Sequence, residues 1–196
     1  QLTVNNVAIE NSSNTISDAL ENITLNLNDV TTGNQTLTIT QDTSKAQTAI
    51  KDWMNAYNSL IDTFSSLTKY TAVDAGADSQ SSSNGALLGD STLRTIQTQL
   101  KSMLSNTVSS SNYKTLAQIG ITTDPSKLEL DADKLTAALK KDASGVGALI
   151  VGDGKKTGIT TTIGSNLTSW LSTTGIIKAA TDGVSKTLNK LTKDYN

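Results

Sequence analysis

The spacing of apolar residues changes abruptly near residue 44, and no single regular structure accommodates both halves of the pattern. Upstream, apolar and polar residues alternate in short runs, the period of strands. Downstream, Ala46, Ile50, Trp53, Tyr57, Leu60, Phe64 and Leu67 recur at alternating steps of four and three. That is the roughly 3.5-residue period of a coiled-coil seam. The chain is therefore expected to be α+β, with a small β-rich part over residues 1–43 and a mainly helical bundle over 44–196 that includes a helical hairpin.

Within the β part, the pair Asn5-Asn6 sits between Val4 and Val7 and predicts a tight hairpin, because Asn tolerates positive φ. Ser13 or Asn14 is expected to cap a short helix with Ile16, Ala19 and Leu20 inward. Ile23, Leu25 and Leu27 share one face of a strand, Leu37 and Ile39 one face of another, and Thr31-Thr32-Gly33-Asn34 turns between them. So few large apolar residues make a thin core.

In the helical part, Ser44 and Gln47 have capping-box spacing ahead of the first seam. Residues 71–86, TAVDAGADSQSSSNGA, offer almost nothing to bury and read as a flexible connection. Asp90 or Ser91 then caps a helix with Leu93, Ile96, Leu100 and Met103 or Leu104 on one stripe, a mate for the first helix. A short helix holding Leu116 and Ile119 is expected to stop at Gly120, and Lys127–Leu130 to run extended. Asp131 caps a further helix with Leu135, Ala138 and Leu139, followed by a turn carrying Val146, Leu149 and Ile150. The last stripes are Ile159, Ile163, Leu167, Trp170 and Leu171, then, after Gly175, Ile177, Ala180, Val184, Leu188, Leu191 and Tyr195.

Composition excludes more than it suggests. The 196 residues contain no His and no Cys, which removes zinc sites, Cys-His proteases and Ser-His-Asp hydrolases, as well as any disulfide framework. A net charge of −2 gives no basic footprint for nucleic acid. No apolar run approaches the roughly 18 residues of a membrane span. The opening Gln1 and the helical pattern at the end suggest a fragment of a longer protein.

Several short motifs imitate chemistry. In SGVGALIVGDGKKTG, Gly147 and Gly152 have P-loop separation, but Asp153 stands where the phosphate-binding lysine belongs. The stretch is read as an apolar anchor followed by a Gly-rich turn between helices. Ser111-Asn112-Tyr113-Lys114 and Lys156-Thr157-Gly158 match the S-x-x-K and K-T-G of penicillin-recognising enzymes, without the intervening S-D-N or the required strand. Asp131-Ala132-Asp133 begins like a calcium loop, but Leu135 replaces an oxygen ligand, leaving a helix N-cap. Trp53 and Tyr57 are read as core rather than as a ligand platform. No catalytic, cofactor or metal residue is assigned. The helix-seam residues Ile50, Trp53, Tyr57, Leu60, Phe64, Leu67, Leu93, Ile96 and Leu100 are the candidates for packing, within the chain or between subunits.

In order along the chain, ISDALENITLNL, AIKDWMNAYNSLIDTFSSLTKY, GALLGDSTLRTIQTQLKSML, LAQIGITTDPSKLELDADKLTAAL and LTSWLSTTGIIKAATDGVSKTL resemble the C-terminal half of the bacterial flagellar hook-associated protein 2 family, the filament cap proteins. Leu88, Gly89, Asp90, Leu93 and Arg94 carry the most specific part of the likeness. Asn22 departs from it, standing where the family commonly has Gly. The resemblance implies a secreted, non-enzymatic structural protein without cofactors, active in motility at the distal tip of the flagellum. Residues 1–43 would be a remnant of a β-rich head and 44–196 a helical leg. It implies a ring-forming homo-oligomer that promotes flagellin polymerisation and prevents loss of monomers. Its partners would be other copies of itself, flagellin and an export chaperone bound through a C-terminal tail that this chain lacks, with no nucleic acid and no membrane insertion. A separate reading, from the polar Ser/Thr/Asn-rich β region, is a secreted adhesive module that binds host glycans.

Overall fold

The computed structural model describes residues 1–38, 40–73, 75–76, 79–105, 107–108 and 112–195. The chain divides into two compact units, Gln1–Thr40 and Gln41–Asn196. Short antiparallel strand pairs and long helices together make it an α+β protein.

The first unit is two hairpins. Strands β1 (Leu2–Val4) and β2 (Val7–Ile9) pair antiparallel with Val4 opposite Val7. The two-residue loop places Asn5 at φ 50° and Asn6 at φ 66°, as a type I′ turn demands. Strands β3 (Thr15–Leu20) and β4 (Ile23–Asn26) form the second hairpin, with Ile16 opposite Leu25 and an irregularity before Leu20. Asn22 turns this hairpin at φ 60°, so the side chain that departs from the family's Gly is the one L-residue type that best tolerates the left-handed region.

Two expectations fail in this unit. Thr15–Leu20 is a strand and not a short helix: a helix this brief meets the cost of nucleation with few bonds in return, whereas pairing with β4 satisfies the backbone and sets the buried Ile16 opposite Leu25. Ser13 caps nothing helical; its hydroxyl accepts from Thr15 N at 3.0 Å, and its own N–H donates to Asn11 Oδ1 at 2.9 Å. Leu37 is 60% exposed in irregular backbone, so the alternation around it makes no strand among the described residues, and Ile39 lies outside them. Alternation alone does not form a strand without a neighbouring edge to pair with.

The second unit begins with α1 (Ser44–Leu67). The expected Ser44–Gln47 box does not form, because Ser44 is already helical and Thr43 occupies the N-cap position. Gln47 reaches Thr43 instead, its Nε2 donating to Oγ1 at 3.0 Å. Helix α2 (Ser91–Ser105) is capped as expected, Asp90 Oδ1 accepting from Leu93 N at 2.7 Å. A 3-10 helix over Leu116–Ile119 ends at Gly120, whose φ of 87° is the left-handed C-cap foreseen for it.

The extended piece Lys127–Leu130 is β6, and it gains an antiparallel partner in β5 (Ile121–Asp124). Helix α3 (Ala132–Ile150) starts at the Asp131 cap, where the carboxylate accepts from Lys134 N. It kinks at Asp142, with φ −158° and ψ 81°. There the carboxylate accepts from Gly145 N and from Asn112 Nδ2, each at 2.7 Å, so Asp142 acts as an internal N-cap for the segment carrying Val146, Leu149 and Ile150. Helices α4 (Ile159–Leu171) and α5 (Ile176–Tyr195) close the chain.

The core of this unit is one cluster to which α1, α2, α3, α4, β5, β6 and the 3-10 helix all contribute. Leu100, Ile119, Ile121, Leu135, Val146 and Leu149 are sealed from solvent. At about 1.5–3 kcal/mol for each large side chain buried, this cluster is what holds otherwise marginal helices. The most extensive backbone contact of α1 is with β6, and that of α2 is with α4.

Candidate interaction surface

A seam offers binding only where it is not already used by the fold. Ile50, Tyr57, Phe64, Leu93, Ile96 and Leu100 are buried in the core cluster, and Trp53, Leu60 and Leu67 are half-buried against it. The stripe that α1 buries runs through Ile50, Met54, Tyr57, Ile61 and Phe64. Met54 and Ile61 were not on the sequence-read seam, and Ala46, which was, is exposed. The step of four and three is the same in both stripes; the buried one is turned slightly around the helix. Trp53 and Tyr57 contact each other with ring centroids 6.5 Å apart.

Helix α5 behaves differently. None of its side chains is buried. Val184, Leu188 and Leu191 are 60–70% exposed, and Tyr195 is 94% exposed. Ile177 is more than a third exposed. These residues repeat at helical spacing on one face, so α5 presents an apolar seam that stays exposed among the described residues. The spacing was legible in the sequence, but its exposure was not.

The chemistry-like motifs resolve into structural roles. In the Gly-rich stretch, Asp153 Oδ1 accepts from the backbone N–H groups of Lys155, Lys156 and Thr157 at 2.9, 2.7 and 2.8 Å. Amides that a P-loop would offer to phosphate are here taken by the chain's own carboxylate. Those bonds, the one from Lys156 foremost, hold the Asp153 carboxyl far below the usual range. Gly152 and Gly158 bring two backbone segments together: a Cβ on Gly158 would lie 2.1 Å from the Val151 carbonyl carbon. Thr160 and Thr161 then donate to the carbonyls of Ile150 and Val151, both at 2.8 Å, satisfying the end of α3 from the first turn of α4. Lys156-Thr157-Gly158 thus leads directly into a helix. Ser111 lies outside the described residues. Asp131 is a cap, and among the described residues no group of three His, Cys, Asp or Glu side chains could hold a metal ion.

In the signature stretch, Leu88 is 39% exposed, Gly89 turns at φ 81°, Asp90 caps α2, Leu93 is buried and Arg94 is exposed. The segment after α1 is fastened by Leu87 N donating to Leu67 O at 2.9 Å and Gly85 N to Lys69 O at 2.7 Å.

A helical packing module with a bare apolar seam is the class these features define: Asp90, Asp131 and Asp153 serve caps and turns, and the exposed stripe of α5 has the period of helix association. The family model for the flagellar hook-associated protein 2 C-terminus matches residues 1–196, and the chain belongs to that family. It is 98% identical over its whole length to flagellar hook-associated protein 2 of Escherichia coli strain K12, covering 42% of that protein. The corresponding protein of Salmonella typhimurium is 52% identical, again over the whole chain and 42% of its own length. The A-type protein of Pseudomonas aeruginosa is 30% identical over 97% of the chain and 39% of its own length. The chain thus spans about two fifths of the length of the curated relatives it matches. The crystal structure of the flagellar cap protein FliD D1-D2-D3 domains from Escherichia coli matches at a TM-score of 0.66 and 90% identity, over 92% of this chain and 48% of that one. No described helix is long and apolar enough to cross a membrane.

Proposed function

We propose that the chain is the C-terminal part of a flagellar filament cap subunit, a structural protein and not an enzyme. It would promote flagellin polymerisation at the distal, extracellular tip of the flagellum and hold back escaping monomers. The observation that carries this reading is the family match over residues 1–196 together with the likeness to a solved flagellar cap protein. Residues 1–43 are assigned to a β-rich head and 44–196 to a helical leg. Partners are flagellin and further copies of the subunit in a ring, with an export chaperone acting through a C-terminal tail beyond this chain. The uncovered stripe of α5 supports the assignment, because a leg that works by packing against other helices needs an apolar seam its own fold leaves open.

The test is deletion of the parent gene, with flagellin then measured in the culture medium and in filaments, with and without a complementing copy. Flagellin released as monomer, and filaments restored by complementation, are the expected result. Normal filaments in the deletion strain would overturn the assignment.

A further inference from the structure

Beyond the end of α1 the chain turns back and is fastened to the residues it has just left. Thr71 N donates to Asn84 Oδ1 at 2.7 Å, and Asn84 Nδ2 donates to Gln80 Oε1 at 3.1 Å, so both ends of one side-chain amide are used. Beside it, Thr71 Oγ1 donates to Ser83 O at 3.4 Å, Gly85 N to Lys69 O at 2.7 Å and Leu87 N to Leu67 O at 2.9 Å. These bonds form a clasp, and two of its positions admit few substitutes. Asn84 must offer a donor and an acceptor from one short side chain. At Gly85 a Cβ would stand 2.2 Å from Leu67 O and 2.6 Å from Ser66 O, so the backbone passes where only glycine fits.

The clasp therefore requires Asn followed by Gly, and this is the one place in the sequence where that dipeptide occurs. The pair has a chemistry of its own. With no side chain to obstruct it, the glycine nitrogen can close on the Asn Cγ: the N–Cγ bond forms as the nitrogen gives up its proton, the Cγ–Nδ2 bond breaks, and ammonia leaves. Water then opens the cyclic imide at one carbonyl or the other, to aspartate or to isoaspartate. The first step needs nitrogen and Cγ within about 3–3.5 Å and aligned. The closed clasp opposes it at both atoms, because the Gly85 N–H is committed to Lys69 O and the Asn84 amide is pinned by Thr71 and Gln80.

We propose that Asn84–Gly85 is a deamidation site that the closed clasp holds unreactive, that reacts when the clasp opens, and whose isoaspartyl product cannot close it again. The aspartyl product keeps an acceptor for Thr71 N. Isoaspartate instead lengthens the main chain by one atom just ahead of Gly85, where the approach to Leu67 leaves no slack. The site follows from the geometry of the clasp and not from the cap assignment, so failure of the flagellin-release test would leave it intact.

The full-length protein would be held in mildly alkaline buffer, folded and in guanidinium chloride, with deamidation of Asn84 followed by peptide mass spectrometry. The folded chain is expected to react at least about tenfold more slowly, because its reaction waits on local opening. Thr71→Pro removes both bonds that residue 71 makes to the clasp and should speed the folded chain's reaction by about tenfold with unchanged circular dichroism. Chain deamidated while unfolded would then be refolded, separated into its two products and read by amide hydrogen exchange, beside unmodified chain taken through the same steps. Slow exchange at Gly85 and Leu87 should persist in the aspartyl product and in Asn84→Asp, and be lost by at least about tenfold in the isoaspartyl product. Equal rates folded and unfolded, no reaction of the unfolded chain, or indifference to Thr71→Pro would overturn the proposal. So would an isoaspartyl chain that exchanges as slowly as the unmodified one, or an aspartyl chain that exchanges as fast as the isoaspartyl one.

Discussion

Asn58 joins α1 to the β5–β6 hairpin by a pair of hydrogen bonds to one residue. Its Nδ2 donates to Leu128 O at 2.9 Å, and its Oδ1 accepts from Leu128 N at 2.7 Å. The side-chain amide thereby stands in for a third strand along the outer edge of β6. Leu128 is 4% exposed, so Asn58→Ala leaves a main-chain donor and acceptor with little water to replace the amide. At about 1–3 kcal/mol for each group left unsatisfied, and allowing for partial hydration, the expected loss is about 2–4 kcal/mol. Both tryptophans, Trp53 and Trp170, lie in the second unit, so urea unfolding followed by tryptophan fluorescence reads that unit alone. The neighbouring Lys127–Asp62 ion pair, at 2.6 Å but with both side chains about half exposed, provides the contrast: Lys127→Ala should cost no more than about 1 kcal/mol. Asn58→Asp separates the two bonds. The new carboxylate keeps the acceptor but repels Leu128 O, whereas its protonated form can donate to it. The folded-state pKa of the introduced group is therefore raised, and its stabilisation is present at low pH and lost as pH rises through that value. A loss below about 0.5 kcal/mol for Asn58→Ala, or an Asn58→Asp variant that grows more stable with rising pH, would refute the reasoning.

Leu100 is fully buried and Leu188 is 62% exposed, so Leu100→Ala should cost about 3–5 kcal/mol and Leu188→Ala within about 0.5 kcal/mol in this chain, by the same fluorescence titration. Gly158→Ala forces a Cβ onto the Val151 carbonyl at a φ of 90°; strain alone costs about 1–3 kcal/mol, and a lowered melting temperature would register it. The Asp142 carboxyl is held below its usual value first by Asn112 and then by Gly145 N, so Asn112→Ala should move its NMR titration midpoint upward. A depressed carboxyl stabilises above the unfolded pKa, and that contribution is lost as pH falls through the folded one. Asp153 should accordingly keep its three amide bonds under acidity that protonates ordinary carboxylates, as followed by its side-chain carbon shift.

Local signals were legible where one residue type decides the matter. Asn5-Asn6, the Asp90 and Asp131 caps and Gly120 each specify a conformation through their own side chain or its absence, and each is found as expected. Asp142 carried the same signal, an Asp ahead of Gly145, but was hidden inside a run that continues as one helix on both sides. The errors lie where a partner decides. Thr15–Leu20 has residues that suit either a short helix or a strand, and the adjacent β4 edge selects the strand. Around Leu37 the pattern was that of a strand, but no strand pairs with it among the described residues.

The same logic separates α1 from α5. Both carry apolar residues at steps of four and three. In α1 the stripe is buried because α2, β6 and the elements behind them arrive at it from the same chain. In α5 the contacts with α4 and α2 leave every side chain at least partly exposed, and the stripe remains open. Periodicity states that a helix wants a neighbour; it does not state whose. Val184, Leu188, Leu191 and Tyr195 would expose a stripe that a monomeric domain normally covers.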